Sequence, residues 1–232
     1  MNRLVQPGAS FGLRDPKVSG GSEPGAPVGH RPAIDMDGFC RLPARYIHVE
    51  RFLACVPGIP PGLAARMLAC NRLHRNLSER IVVHFGIDCC TAADIAERRS
   101  RIALLGGEQL RRVAELAGGV WHAHALRSTV LMNTLREVLG EFDPQLHKVA
   151  LANIDLSPRS DRPLDRSSLA DAIRSDGMQC LNAAIWQLPA TLRSRILLRF
   201  PIDSPLGSPV SRRHQQLGPE IVDRVLADGM VP

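Results

Sequence analysis

Histidines and cysteines are the first residues to consider for chemistry, because both can bind metals. His122 and His124 lie close together in the chain, and Cys89 and Cys90 follow His84 by five residues. Structural zinc sites use paired ligands about two to four residues apart, and adjacent cysteines cannot both reach one ion from a regular backbone. Since the sequence offers no second pair, we predict no metal and no other cofactor. We interpret the six cysteines as reduced core residues.

Catalytic motifs give no stronger signal. No serine lies in a Gly-x-Ser-x-Gly motif, and no cysteine has an obvious activating neighbour. Glu108 and Asp171 are better explained as first-turn carboxylates that stabilise helix N-termini. Gly106 and Gly107 follow a predicted helix, whereas phosphate loops follow a strand and continue into Lys-Ser/Thr. We therefore predict a protein that is not an enzyme and has no catalytic residues.

Arginine is the most informative charged residue. The net charge is +6 and the isoelectric point about 9.4, with 29 lysines and arginines against 23 acids. A local pair of Glu108 with Arg112 at i, i+4 would neutralise part of this charge. If such local pairs do not neutralise them, the central arginines predict a basic face that binds acidic protein surfaces. The candidate residues of this basic face are Arg98, Arg101, Arg111, Arg112 and Arg136.

Nucleic acid is the alternative partner for these arginines. Residues 91–96 resemble the start of a helix-turn-helix reader, in which a short turn soon follows the first helix. Here the apolar stripe continues through Ile102 and Ala103, and the next glycine is Gly106. Aromatic residues make up only 4% of the chain, so few side chains can stack on bases. A nucleic-acid-binding regulator is therefore retained only as the second hypothesis.

The elements that position these residues are predicted to be helices. Apolar residues recur at helical spacing, and no segment requires a strand, so we predict an all-α domain with about eight helices. Residues 195–201 fit either a helix or an extended segment. The predicted helices comprise residues 62–76, one capped by Thr91 that ends at Gly106–Gly107, one from Glu108 closed by Gly118–Gly119, 128–139, one around Leu146, a long one opened by Ser168 with Asp171, a short one with Pro189 at position N1, and a final one opened by Pro219.

The N-terminal segment differs in composition from the rest. Residues 1–35 contain eleven glycines or prolines and no hydrophobic periodicity, which is typical of a chain that cannot offset the entropy of ordering. We predict a disordered leader over 1–38, dispensable for folding, and an irregular helical domain over 39–232. The sequence has no apolar stretch of about 18 residues and no secretory signal, which favours a cytoplasmic protein.

Five segments, taken in order, are similar to those of a known family. Residues 42–48, 101–113, 135–140, 186–189 and 195–201 together resemble the SctK family of bacterial type III secretion systems, and the resemblance covers about residues 39–230. Each segment alone is a helix boundary with a few apolar residues, so the specificity lies in their order and spacing. The motif positions are Tyr46, His48, Gly107, Glu108, Trp186 and Pro189.

The resemblance implies a function in virulence or symbiosis. It implies a non-enzymatic cytosolic adaptor of the sorting platform beneath the secretion apparatus. Such an adaptor joins the cytoplasmic domain of the inner-membrane ring protein to the pod (C-ring) protein, and it takes no small-molecule substrate. It would reach the cytoplasmic face of the membrane only through these protein partners. A continuous arginine stripe on a projecting helix would instead favour the nucleic-acid-binding regulator.

Overall fold

Helices form the whole of the secondary structure that is described. The computed structural model describes residues 35–128, 140, 142–158 and 166–227, and these residues form α-helices and short 3₁₀ helices without any strand. The all-α prediction is confirmed. The described residues belong to one compact unit that begins at Ala33. The predicted helix over 128–139 lies, apart from Ser128, outside the described residues.

Twelve α-helices are described. In chain order they are α1 (Met36–Arg41), α2 (Val49–Cys55), α3 (Pro61–Ala69), α4 (His74–Phe85), α5 (Ala92–Ala96), α6 (Arg101–Leu104), α7 (Gly107–Trp121), α8 (Ala123–Ser128), α9 (Leu146–Ala152), α10 (Arg166–Trp186), α11 (Ala190–Leu197) and α12 (Arg212–Ala227). Five 3₁₀ helices connect them, at Pro43–Arg45, Asn71–Leu73, Arg98–Ser100, Ile154–Leu156 and Pro205–Gly207.

Three long helices, α7, α10 and α12, pack against one another and form the centre of the fold. Glycines allow their backbones to touch. A Cβ on Gly118 of α7 would overlap the carbonyl oxygen of Ile173 in α10, and a Cβ on Gly177 would overlap that of Ala114. A Cβ on Gly218 of α12 would lie 2.9 Å from the Cα of Cys180. The three helices are therefore held closer than larger side chains would permit.

Apolar side chains fill the remaining space around this contact. The inward face of α7 repeats at helical spacing, which produces one continuous buried stripe. Helix α9 packs on the other side of α7, where the side chain of Leu146 covers Gly119. Fully buried members of this core include Leu110, Val113, Leu116, Ala117, Val120, Ile173, Leu181, Ala184, Ile185, Ile221, Val222 and Val225.

Two predicted helix boundaries around α7 and α12 are wrong. Helix α7 does not end at Gly118–Gly119 but continues to Trp121, because these glycines face α10 and α9 rather than cap a helix. Pro219 does not open the last helix; it is buried inside α12, which begins at Arg212. In both cases the helix continues because its flanking residues are buried in the core.

Two predicted helices are each divided in two. The helix predicted over 62–76 ends at Ala69, because Cys70 has an extended backbone, and α4 follows after a 3₁₀ turn. The Thr91 cap is observed, and its hydroxyl accepts a hydrogen bond from the backbone N–H of Asp94 (3.1 Å). That helix nevertheless breaks at Glu97, where ψ is 130°. Gly106 has a φ of −66° and is the N-cap of α7 rather than a left-handed helix end.

The later boundaries also differ in detail. Ser168 lies within α10, which includes Arg166, so it does not open that helix. Pro189 is the N-cap of α11 rather than its first residue. Residues 195–197 are the end of α11, and turns follow after Leu197. Of the two predicted alternatives for residues 195–201, a helix or an extended segment, the structure therefore shows a helix that ends in turns. Among the described residues no helix is long and apolar enough to cross a membrane.

Substitution of Gly177 by alanine tests the close contact between α7 and α10. We expect Gly177→Ala to destabilise the protein by about 2–3 kcal/mol, because the added methyl group overlaps a backbone carbonyl that cannot move alone. At this chain length the melting temperature should fall by about 5–10 °C. Thermal unfolding followed by circular dichroism measures the change.

Gly62→Ala is the matched control, since a Cβ at Gly62 in α3 meets no atom within 4 Å. The control should leave the melting temperature unchanged or slightly raised, because alanine favours helix. Equal effects of the two substitutions would contradict the close-contact interpretation.

Candidate partner-binding site

Two of the sequence motifs, separated by about 150 residues, lie against each other. The backbone N–H of His48 donates to the carbonyl of Leu198 (2.7 Å). Arg195, with only 2% of its surface exposed, donates to the carbonyls of Cys40 (3.1 Å) and Asp88 (2.7 Å). A buried guanidinium is stable only when its donors are used, and these carbonyls use them. The junction of the first and the later helices is therefore fixed by Arg195.

Arg199 completes this junction. Its guanidinium lies over the rings of Phe39 and Tyr46, 4.8 and 4.9 Å from their centroids. The two rings stack 5.0 Å apart, and the Tyr46 hydroxyl donates to the carbonyl of Phe39 (2.7 Å). Burial lowers the pKa of Arg199 to about 10 and raises the pKa of Tyr46 above its ordinary value. Tyr46 thus has a structural role.

The motif positions differ in what they do. His48 forms part of the junction just described, and Pro189 caps α11. Gly107 and Glu108 are the first two residues of α7, where the carboxylate of Glu108 stabilises the positive end of the helix dipole. These four positions, like Tyr46, are accounted for by helix ends and by packing within the fold. Trp186 is the sixth, and its surroundings are different.

Trp186 is exposed at the C-terminal end of α10. Its surface is 46% accessible, although tryptophan is a residue that proteins usually bury. The guanidinium of Arg193 lies 4.4 Å from the ring centroid and donates to the carbonyl of Trp186 (3.1 Å). The indole is therefore covered on one face and held in place, while much of it remains open to a partner.

The surface beside Trp186 is held by further polar contacts. Gln187, the next residue, accepts a hydrogen bond from Arg99. The same guanidinium forms an ion pair with Asp223 of α12 (2.8 Å). Because both partners of this ion pair are largely shielded from solvent, the contact ties the segment before α6 to α12, and the hydrogen bond to Gln187 ties it to the end of α10.

The structure places the predicted basic face on separate elements. Arg101 of α6 and Arg111 of α7 are exposed. Glu108 forms its ion pair with Arg111 (2.9 Å), at i, i+3, and not with Arg112, at i, i+4, as the sequence predicted. Arg112 instead forms an ion pair with Asp143 (2.8 Å) and is partly buried. Arg98 lies in a 3₁₀ helix, and Arg136 is outside the described residues. Arg101 and Arg111 are therefore the members whose side chains are seen to be exposed, and Arg111 shares its charge with Glu108.

A polar cluster that the sequence did not reveal lies between the three central helices. The carboxylate of Asp176 in α10 is 2.7 Å from Nε2 of His122, at the end of α7, and 3.2 Å from Nε2 of His214 in α12. The Trp121 ring stacks on His214 with 4.0 Å between centroids. Burial raises the pKa of Asp176, but the two histidines outweigh it and hold its pKa well below the ordinary value.

The order Ser211, His214, Asp176 resembles a hydrolytic triad but is explained by helix capping. The Ser211 hydroxyl is 2.7 Å from Nδ1 of His214 and also accepts from the His214 backbone N–H (3.4 Å), as in a helix N-cap. Asp176 is shared with His122, and no group of metal-binding side chains occurs in the part of the chain that is described. His124 does not join the cluster; its backbone N–H donates to the hydroxyl of Ser157 (3.4 Å).

Fold and site together define an all-helical protein whose clustered polar groups join helices and whose Trp186 is left exposed. Over residues 34–224 the chain matches the family model described as YOP proteins translocation protein K (YscK). The chain therefore belongs to the YscK, or SctK, family of type III secretion proteins. The resemblance found in the sequence is confirmed.

Individual relatives match a shorter part of the chain. The nodulation protein NolU of Rhizobium fredii is 32% identical over 106 residues, which cover 46% of this chain and 50% of that protein. NolU of Sinorhizobium fredii (strain NBRC 101917 / NGR234) matches to the same extent. The chain thus spans about half the length of the curated relatives it matches. No solved structure matches it.

Asp176→Asn tests the role of the polar cluster. At pH 7 we expect a loss of about 1–3 kcal/mol in the free energy of unfolding, because an amide cannot replace a carboxylate between two histidines. A carboxyl whose pKa is lowered by folding adds stability above its unfolded pKa of about 3.9 and loses that contribution as the pH falls below it. Urea unfolding of both proteins at several pH values measures the difference.

The difference between wild type and Asp176→Asn should therefore shrink as the pH falls from about 5 to 3. Asp171→Asn, on the exposed side of the same helix, is the control and should cost less than about 0.5 kcal/mol. A constant difference across this pH range would show that the carboxylate charge of Asp176 does not stabilise the fold.

Proposed function

We propose that the protein is a non-enzymatic adaptor of a type III secretion sorting platform, and that it links the cytoplasmic domain of the inner-membrane ring protein to the pod (C-ring) protein. It acts in the cytoplasm and reaches the membrane only through these partners. Family membership supports the secretion role, and the name of the nodulation relatives favours a system used in symbiosis or virulence. The observation that carries the linking role is the exposed, immobilised side chain of Trp186.

Trp186 has the properties of a binding hot spot. Tryptophan and arginine are enriched among the few interface residues that supply most of the binding energy. Arg193 holds the indole before any partner arrives, so less conformational entropy is lost when an interface forms. A partner that covers Trp186 would bury a large aromatic surface that the fold itself leaves open.

Arg101 and Arg111 add the electrostatic part of the proposal. Both are exposed, although Arg111 also pairs with the exposed Glu108, whereas the ion pairs of Arg99 with Asp223 and of Arg112 with Asp143 are largely shielded from solvent. Exposed charges of one sign accelerate association with an oppositely charged partner and add specificity more than affinity. An acidic rim around the site that receives Trp186 would fit them.

The nucleic-acid-binding alternative has less support. The described arginines of the predicted basic face lie on different helices, and several central arginines form ion pairs with acids. A reader helix would need its basic and polar side chains on one projecting surface. We therefore favour protein partners.

Trp186→Ala tests the hot spot. Titration calorimetry of the full chain with the purified pod protein, and separately with the ring protein's cytoplasmic domain, measures the two affinities. We expect Trp186→Ala to weaken one of them about 30-fold, which corresponds to about 2 kcal/mol. Ile202→Ala, which also removes an exposed apolar side chain, should change neither affinity. Equal effects of the two substitutions would refute the role of Trp186.

Charge reversal at Arg101 and Arg111 together tests the electrostatic contribution. The double variant should slow association with one partner about tenfold at low salt, and the difference should narrow at high salt because exposed charges are screened. Arg112 is left intact, since reversing it would place two acids side by side at the partly buried Asp143; reversing Arg111 also places an acid beside Glu108, but both of those side chains are exposed. Sequence-selective DNA binding by the wild type, without affinity for either secretion protein, would instead support the regulator.

A further inference from the structure

The positive charge of the protein is unevenly distributed along the chain. Residues 51–87 contain five arginines, no lysine and a single acid, Glu79. This segment therefore carries four of the six excess positive charges of the whole chain. It includes α3, α4 and most of α2, whose first turn adds Glu50 just before the segment, and it precedes the central residues on which the sequence-based basic face was placed.

Helix α4 presents these charges on one side. Its buried side packs on α2 and on the 3₁₀ helix Pro43–Arg45. The opposite side is exposed and carries, besides Arg75 and Glu79, residues at positions i, i+4, i+8 and i+11, which lie in one row along the helix. We call this row, which begins in the 3₁₀ turn before α4, the α4 outer face: Arg72, Asn76, Arg80 and Val83.

The charges of the α4 outer face are not neutralised. Arg72 and Arg80 form no ion pair with any residue that the structure describes. The one acid of the segment, Glu79, is 3.5 Å from Arg75 on the same helix. Val83 is 81% exposed, the largest value among the bulky apolar residues of the described chain. The row thus combines two available guanidinium groups with one uncovered apolar side chain.

We propose that the α4 outer face docks an acidic segment of a partner protein, with carboxylates on Arg72 and Arg80 and an apolar side chain on Val83. This inference rests on the proposed linking function, because an adaptor that joins two proteins needs a second interface besides the surface around Trp186. Guanidinium groups pair with carboxylates in a geometry that fixes orientation, and the apolar contact excludes water from the pairs.

Other occupants fit the chemistry less well. A second copy of this chain would bring a basic face to a basic face, and like charges oppose association. A nucleic acid would use phosphate contacts along the row, but Val83 offers none, and the face has no aromatic side chain for bases. An acidic protein segment uses the charges and the apolar side chain together.

Photo-crosslinking in the bacterium that produces the protein tests the docking site. Val83 of the full chain is replaced by p-benzoyl-phenylalanine, and Arg224, an exposed residue of α12, is replaced in the same way as the control. We expect a crosslinked product from position 83 that position 224 does not give. Mass spectrometry should identify it as a protein with a net negative surface segment at the crosslink.

Charge variants decide whether the arginines hold this partner. Arg72→Glu with Arg80→Glu should reduce the position-83 product at least tenfold, and the neutral pair Arg72→Gln with Arg80→Gln should reduce it less. Circular dichroism of each purified variant checks that the helices are retained, and the neutral pair decides the question if the reversed pair is unfolded. A product that survives both pairs would overturn the proposal.

The outcomes separate this inference from the proposed function. A charge-dependent product that contains the pod protein or the ring protein supports both. A charge-dependent product that contains an acidic protein outside the secretion system keeps the docking site but contradicts the linking role of this face. No product specific to position 83, or a product that contains nucleic acid or lipid, overturns the docking site while leaving the Trp186 experiment to decide the adaptor function.

Discussion

The backbone contact between α7 and α10 at Gly118 and Gly177 is the constraint on which the rest of the described structure depends. It sets the distance between two of the three long central helices, and it fixes where the neighbouring side chains can lie. Asp176 precedes Gly177 and therefore reaches both α7 and α12. The partly buried carboxylate with its two histidines is a consequence of this contact, and it joins the three helices.

A second group of contacts attaches the first four helices to this centre. Arg195 and Arg199 lie one turn apart on or just after α11, and both are directed to the segment around Phe39 and Tyr46. Charged groups that are buried this well must have partners, so their positions specify the arrangement more strictly than apolar contacts do. The motifs that carry the family resemblance therefore mainly supply contacts between segments that are distant in the chain.

The proposed function rests on exposed residues that do not take part in packing the core. Most of the ionisable residues that could be considered for catalysis or metal binding instead pack against other helices or cap helix ends. The surface around Trp186 and the α4 outer face remain: the first exposes an indole beside Arg193, and the second combines Val83 with Arg72 and Arg80. Two such surfaces are what a linking protein requires, since each partner needs its own contact and neither contact can be part of the core.

The sequence by itself determined the helical class, the family and the Thr91 cap, because helical periodicity, capping residues and motif order are local properties of the chain. It misplaced the end of α7 and the start of α12, because Gly118–Gly119 and Pro219 carry local signals that packing overrides. It also could not find Asp176 with His122 and His214, or the pairing of Arg112 with Asp143. Those contacts join residues far apart in the chain, and only the tertiary structure decides which distant side chains meet, because the close helix contacts fix their separation.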